Sequence, residues 1–152
     1  LSEQPWMNCH FDFERRNLMV DSNNEIAVID YQDLCIGPVG IDLAGIIVDH
    51  YISYSDELIN NALKHYIKSS QLDVSVKDVF EWLRWGGVQR NMRILGTLSN
   101  LYIQDNRTFR LKDLPGILEN LITLIPNDEF MSLKEYLSSA VMPKLHEELK
   151  AL

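Results

Sequence analysis

The sequence predicts an α+β fold that is mostly helical, with a short β element at its start. Residues 1–40 contain two short apolar runs around a turn, whereas the residues from 41 onward repeat apolar side chains at helical spacing. Two glycines and a proline in "IGPVG" (36–40) break the first pattern before the second begins. The 152 residues are enough for one domain with a sizeable core, so a single domain is expected.

The β element is predicted to be a hairpin. "NLMV" (17–20) and "EIAVID" (25–30) are apolar runs rich in β-branched residues, and they flank "DSNN" (21–24), whose side chains favour turns. An antiparallel hairpin brings its two open ends together. Asn17 and Asp30 are therefore expected to lie close to each other.

The helical part is predicted to contain five or six helices. The first carries apolar residues at 43, 46, 47 and 51, and Asp42 is placed to cap its start. Further helices are predicted over 55–70, over 75–103 as one helix or two, over 112–125, and in a last segment that Pro143 breaks. Gly86-Gly87 in the middle of the long segment predicts a bend or a point of close packing.

Composition limits the classes of partner. The net charge of −8 argues against a broad nucleic-acid surface, because phosphate contacts need clustered Lys and Arg. No apolar run has the length of a membrane span, and the first residues lack the features of a signal peptide. We therefore expect a cytoplasmic protein with no nucleic-acid or membrane partner. Cys9 and Cys35 are expected to be free thiols in a reducing compartment.

The chemistry-bearing residues are concentrated in residues 8–33. His10, Asp12 and Asn17 precede the hairpin or open it, and Asp30 closes it. Two carboxylates and an amide oxygen at one end of a hairpin make an oxygen site that suits Mg²⁺, and a carboxylate that is not on the metal could accept a proton from a hydroxyl. Taken singly, each Asp or Asn is better explained as a turn or cap residue. Their combined spacing favours a functional site.

That spacing resembles a known family. His10 to Asn17 reads H-x-D-x-x-x-x-N, and Ile29-Asp30 follows on the next strand, as in protein-kinase-like phosphotransferases. The stretch "HFDFERRNLMV…IAVIDYQDLCIGPVGIDLAGII" resembles the aminoglycoside phosphotransferase and choline kinase superfamily. The helical part, including "FEWLRWGGVQRNMRILGTLSNLYIQD", resembles its bacterial anomeric kinases of N-acetylmuramate and N-acetylglucosamine, which serve peptidoglycan recycling.

The resemblance implies roles by position. Asp12 would be the catalytic base, and Asn17 and Asp30 would bind Mg²⁺ for an ATP phosphoryl donor. His10 and Asp42 would support the catalytic loop. The chain departs from the superfamily pattern at two positions, Phe11 and Glu14, where a small or basic residue and a second His are usual. Both departures could alter how the acceptor or the phosphate is held.

The resemblance also implies which residues bind the acceptor. Arg16, Asp33, Trp85 and Arg90 are candidate acceptor-binding residues, since a Trp and Arg stripe could stack on a sugar and bind its carboxylate. Core packing is the competing role for at least one Trp. The small-molecule acceptor would be an amino sugar, and an aminoglycoside, choline or another alcohol is the alternative. A catalytically inactive binding module is a further alternative.

The nucleotide-covering elements of such kinases have no counterpart here. The glycines form neither G-x-G-x-x-G nor a Walker motif. We therefore expect residues 1–152 to be the C-terminal lobe of a kinase-like fold, with the catalytic loop and hairpin in 1–40, acceptor-binding helices in 41–152, and the N-terminal nucleotide lobe absent. Such a lobe is expected to have little kinase activity alone, and to expose apolar surface through which it could self-associate.

Overall fold

The computed structural model describes residues 1–48 and 52–152. The chain forms two compact units, Leu1–Gly87 and Val88–Leu152, which divide within one long helix. The compositional change near residue 40 does not coincide with this division. The predicted helical position Tyr51 lies outside the described residues.

The first unit begins with two antiparallel strand pairs. Strand β1 (Trp6–Cys9) pairs with β4 (Cys35–Pro38), and β2 (Leu18–Val20) pairs with β3 (Ile26–Val28). The second pair is the predicted hairpin, with Leu18 opposite Val28. The first pair holds the chain on either side of that hairpin, because β1 leads into residues 10–17 and β4 leads out of the hairpin.

Strand β4 corrects the expectation that residues 36–40 only break the β pattern. Gly37 pairs with Met7, and Pro38 pairs with Trp6 at the end of the ladder. A proline is tolerated there because a two-stranded ribbon has only edge strands, so its missing N–H faces no further neighbour.

Three helices follow in this unit: α1 (Gly40–Ile47), α2 (Asp56–Ser70) and the first part of α3 (Val76–Asp105). Ser55 caps α2, since its hydroxyl accepts from the backbone N–H of Leu58 at 3.2 Å. The capping role expected for Asp42 is wrong: α1 begins two residues earlier, and Val39 holds its N-cap position. Asp42 lies in the first turn of α1 and makes longer-range contacts.

The core of the first unit joins the three helices. Leu63 of α2 packs with Val79 and Leu83 of α3, and all three are nearly inaccessible. The partly buried Leu43 and Ile47 of α1 pack against this cluster. Helix α1, which bears Asp42, is therefore anchored by the apolar core.

Helix α3 is continuous through Gly86-Gly87, and Gly86 is a point of close packing. A Cβ on Gly86 would collide with the backbone carbonyl of Gly40 at the start of α1. The absence of a side chain therefore lets the two helices approach closely within the first unit.

The second unit contains the rest of α3 and helices α4 (Leu114–Leu124), α5 (Asn127–Tyr136) and α6 (Met142–Lys150). Its core comprises Leu98, Leu111, Leu114 and Ile117. Pro143 was expected to break the last segment, but the backbone stays helical there: Pro143 stands in the first turn of α6, and Val141 and Met142 before it have right-handed helical angles. A π-helical turn over Leu137–Val141 precedes it. The six α-helices within the described residues fall in the predicted range.

Candidate active site

The loop of residues 10–17, which is the candidate catalytic loop, leaves β1 at Cys9 and is held by a carboxylate of α1. Asp42 Oδ2 accepts from the backbone N–H of His10 at 2.6 Å, and Asp42 Oδ1 accepts from that of Phe11 at 2.9 Å. Phe11 has a left-handed backbone, with a φ of 63°. This conformation is unfavourable for a bulky residue, and the two charge-assisted bonds stabilise it.

The loop is also held by the first turns of α1. Gly45 faces the backbone of Phe13, and a Cβ on Gly45 would collide with the Phe13 carbonyl. Only glycine lets the loop approach the helix this closely. The sequence interpretation missed both Gly45 and its neighbour Phe13, because their contact joins distant parts of the chain.

His10 ties the loop to the end of the hairpin. The ring is 6% exposed, and its Nε2 lies 2.9 Å from the carbonyl of Ile29. A carbonyl can only accept, so Nε2 is the donor in this bond. Within residues 1–48 and 52–152, Nδ1 is one of the buried side-chain atoms that have no hydrogen-bond partner. The ring therefore supports the loop through one bond and through its packing near Phe13.

Asp12 and Asn17 are in direct contact. Asn17 ends a short 3₁₀ helix (Arg15–Asn17), and its side-chain nitrogen donates to the Asp12 carbonyl at 2.8 Å and to Asp12 Oδ2 at 3.1 Å. Asn17 is 5% exposed, whereas the Asp12 side chain keeps 30% of its accessible surface. Both bonds use the amide nitrogen, so the amide oxygen is the atom that can serve as a metal ligand.

Arg16 joins two carboxylates of the loop. Its Nη2 donates to Asp12 Oδ2 at 2.7 Å and lies 3.0 Å from Glu14 Oε1. The Arg16 side chain is 59% exposed and the Asp12 side chain 30%, so the ion pair leaves Asp12 accessible to solvent. The spacing of these three residues is local, yet the sequence interpretation placed Arg16 against the acceptor and gave Glu14 no partner.

The charge state of Asp12 follows from these contacts. Burial by itself raises the pKa of Asp12, but its hydrogen bonds, those from Arg16 and Asn17 among them, and the positive charge of Arg16 lower it by more. The net effect is a pKa below the ordinary value of 3.8. Asp12 is therefore a carboxylate at neutral pH and can accept a hydrogen bond from a substrate hydroxyl.

Asp30 lies one residue beyond the hydrogen bond that joins the two ends of the hairpin. The backbone N–H of Ile29 donates to the Asn17 carbonyl at 3.0 Å. Asp30 follows with a left-handed φ of 65° and is exposed. The structure thus brings Asp12 and Asn17 into contact and places Asp30 beside the same loop.

The other candidate residues lie apart from this cluster along the chain. Asp33 is exposed between β3 and β4, and Trp85 is half-buried in the part of α3 that belongs to the first unit. Arg90 belongs to the second unit and is only 8% exposed. A guanidinium this deeply buried is poorly placed to meet a ligand from solvent.

A Mg²⁺ site would use the amide oxygen of Asn17 and the carboxylate of Asp30. An amide and a carboxylate fit this ion, which takes few protein ligands and shares its remaining positions with water and phosphate oxygens. Over the described ranges, no group of three or more His, Cys, Asp and Glu side chains is arranged to bind a metal. The same ranges contain no helix that is both long and apolar enough to cross a membrane.

Comparisons with known proteins identify the family to which the chain belongs. A family described as "Phosphotransferase enzyme family" matches residues 1–84. The chain is 29% identical over 126 residues to "N-acetylmuramate/N-acetylglucosamine kinase" of Neisseria meningitidis serogroup B, covering 80% of this chain and 37% of that protein. It is 30% identical over 143 residues to the protein of the same name from Pseudomonas aeruginosa, covering 90% of this chain and 42% of that protein. The chain therefore spans about two fifths of the length of these curated relatives.

Proposed function

Because the chain belongs to the phosphotransferase enzyme family, we propose that it is part of an ATP- and Mg²⁺-dependent kinase that phosphorylates a hydroxyl of a small molecule. The observation that carries this proposal is the Asp12 carboxylate, which stays partly exposed while Asn17 and Arg16 fix its orientation. An ionised carboxylate held in this way can orient an acceptor hydroxyl and take its proton.

We assign each loop residue a role from its contacts. Asp12 acts as the catalytic base. Asn17 and Asp30 would bind Mg²⁺, which when bound neutralises the charge of the phosphate oxygens. His10 and Asp42 position the loop, through the bond to Ile29 and through the two backbone bonds at the loop entry.

We propose that the acceptor is an amino sugar, phosphorylated at its anomeric hydroxyl during cell-wall recycling. The support is the shared name of the relatives, which are N-acetylmuramate/N-acetylglucosamine kinases. Arg16, Asp33 and Trp85, all in the first unit, remain candidate acceptor contacts. Arg16 is accessible, and an exposed guanidinium beside the proposed base favours an acceptor that carries a carboxylate.

The phosphoryl donor needs groups that this chain does not carry. Its glycines form no nucleotide-binding loop, and the relatives are more than twice as long as the matched region. We propose that the glycine-rich loop and the phosphate-binding lysine belong to an N-terminal lobe of a longer protein, and that residues 1–152 alone transfer phosphate slowly or not at all. We place that protein in the cytoplasm, in keeping with an ATP-dependent kinase.

We also propose that residues 1–152 self-associate when no other lobe covers their β region. Exposed apolar side chains are concentrated there, and they include Trp6, Met19, Val20, Ile26, Tyr31 and Ile36. Clusters of exposed apolar side chains favour association. Light scattering of the isolated chain tests this point, and a strictly monomeric chain at high concentration would contradict it.

A non-catalytic binding module is the second candidate. The observation that favours it is the ion pair between Arg16 and Asp12, because a base that is already paired is less available to a hydroxyl. In that case the chain would bind an acceptor without turnover.

A phosphotransfer assay on the complete open reading frame decides between the two candidates. The purified protein is given ATP, Mg²⁺ and a panel of N-acetylmuramate, N-acetylglucosamine, an aminoglycoside and choline. We expect transfer to the amino sugars, and a loss of at least about a thousandfold in kcat for Asp12→Asn with the fold retained. Turnover of none of the acceptors supports the binding module, and near-normal turnover by Asp12→Asn refutes the role of Asp12.

A further inference from the structure

Cys9 and Cys35 face each other across the ladder between β1 and β4. Residues that are opposite in an antiparallel pair have Cα atoms about 4.5 or 5.5 Å apart, depending on the type of pair. Disulfides form at Cα separations of about 4.4–6.8 Å, so both types lie within range. Side chains opposite each other also point to the same face of the ribbon, so the two sulfurs can meet after a side-chain rotation.

The two thiols differ in access. Cys35 is exposed at the start of β4, whereas Cys9 is inaccessible and its Sγ donates to the carbonyl of Gly37 at 3.3 Å. A dissolved oxidant can therefore meet Cys35 but cannot meet Cys9. Any oxidation of Cys9 has to pass through Cys35.

We propose that Cys9 and Cys35 are a thiol–disulfide exchange site, at which a small-molecule disulfide of the glutathione type drives formation of an intramolecular bridge. In the first step the Cys35 thiolate attacks oxidised glutathione, which forms a mixed disulfide and releases one glutathione thiolate. In the second step the Cys9 thiolate attacks Cys35 Sγ and releases the second glutathione. Each cysteine loses one proton and one electron, and one glutathione disulfide is reduced to two thiols.

The bridge would enclose the candidate active site. Residues 10–34 lie between the two cysteines, and they include Asp12, Asn17 and Asp30. A covalent link between the two strands that flank this segment restricts the unfolded chain. We expect the oxidised form to melt roughly 5–10 °C above the reduced form, and the increase to disappear on reduction.

The ring-closing step has a pH dependence that follows from burial. The titratable groups that face the Cys9 thiol are Asp42 on α1, Cys35 on β4 and Tyr66 on α2. Burial, followed by the charge of Asp42, raises the pKa of Cys9 to about 11. Because only the thiolate attacks, the rate of the second step rises about tenfold per pH unit between roughly pH 7 and 10.

The test uses the purified, fully reduced chain, treated with oxidised glutathione and then analysed by intact mass and by non-reducing peptide mapping. We expect a monomer that has lost two hydrogen atoms and contains a peptide linking Cys9 to Cys35. Cys35→Ser is the control, since it removes an exposed side chain and should leave Cys9 reduced. In Cys9→Ser, which keeps a donor to Gly37, the reaction should stop at glutathione bound to Cys35.

Three results would overturn the proposal. One is glutathione that persists on Cys35 of the unmodified chain at pH 9 while Cys9 stays reduced. Another is a covalent dimer linked through Cys35, and the third is the absence of any reaction. Oxidation of Cys9 in Cys35→Ser would contradict the order of the two steps.

Discussion

The side-chain nitrogen of Asn17 donates to both the carbonyl and the carboxylate of Asp12, at 2.8 and 3.1 Å. These two bonds orient both side chains at once: the carboxylate of Asp12 is fixed, and the amide of Asn17 is left with its oxygen as the atom for a cation. The proposed base and a proposed metal ligand are therefore positioned by the same contact. Disturbing either residue should affect both functions.

Asp42→Ala should destabilise the first unit by about 2–4 kcal/mol, because the backbone N–H groups of His10 and Phe11 lose their acceptors. Urea unfolding of the variant measures this change. Asp56→Ala is the matched control, since Asp56 also lies in the first turn of a helix but is exposed. Its cost should stay below about 1 kcal/mol. Equal losses of stability in the two variants would show that Asp42 contributes only as an acidic residue in the first turn of its helix, and not through the backbone of the loop.

Gly45→Ala should destabilise the protein by about 1–3 kcal/mol, because the added methyl group collides with the Phe13 carbonyl. Gly96→Ala is the control within α3, where a Cβ would meet nothing within 4 Å. That variant should gain up to about 1 kcal/mol from the higher helix propensity of alanine. Thermal or urea unfolding compares the two, and the predicted changes have opposite signs. A stabilised Gly45→Ala would contradict the close approach of the loop to α1.

Arg16→Met should raise the pKa of Asp12, since it removes both a hydrogen bond and a positive charge that lower it. An acid titration of the Asp12 carboxyl carbon by NMR measures the shift. Arg15→Met, at the exposed neighbouring position, should change this pKa much less. An unchanged pKa in Arg16→Met would mean that Arg16 does not stabilise the ionised base.

The lowered pKa of Asp12 also determines how the stability of the folded chain changes with pH. The pKa of Asp12 in the folded state lies below the ordinary 3.8, so its interactions stabilise the folded chain above that pH. This contribution is lost as the pH falls through the folded-state pKa. Arg16→Met should therefore show a weaker loss of stability than the unmodified chain on acidification below pH 4.

Local patterns in the sequence predicted much of the fold. The hairpin followed from two apolar runs around Asp21–Asn24, and α2 and α3 followed from their apolar repeats, to within a few residues of the observed bounds. These elements are set by interactions between near neighbours. A pattern of side chains is therefore enough to find them.

Long-range contacts were harder to predict. The pairing of β1 with β4 joins residues more than 25 positions apart. Strand β4 also contains a glycine and a proline, which are typical of turns, so its sequence predicts a turn and not a strand. The capping role predicted for Asp42 failed for the same reason, because the partners of its carboxylate lie 31 and 32 residues away. Sequence spacing places a residue on a helix but does not say what approaches it in space.

The candidate site contains local contacts, which the sequence could predict, and a long-range contact, which it could not. The contact between Asp12 and Asn17 lies within one loop, and the H-x-D-x-x-x-x-N spacing pointed to it. The pairing of Arg16 with Asp12 and Glu14 is equally local and could have been found from the i, i+4 spacing. The tie from His10 to Ile29 depends on where the hairpin ends, which no local pattern specifies.

The central claim is that Asn17 and Asp30 bind one cation beside the proposed base Asp12, and Mn²⁺ as a paramagnetic substitute for Mg²⁺ tests it most directly. In a nitrogen-15 NMR titration of the chain, we predict that the signals of Asn17 and Asp30 and their neighbours broaden first. The effect should be lost in Asn17→Ala and Asp30→Ala and competed away by excess Mg²⁺. Broadening that begins elsewhere, or that is the same in both variants, would contradict the shared site.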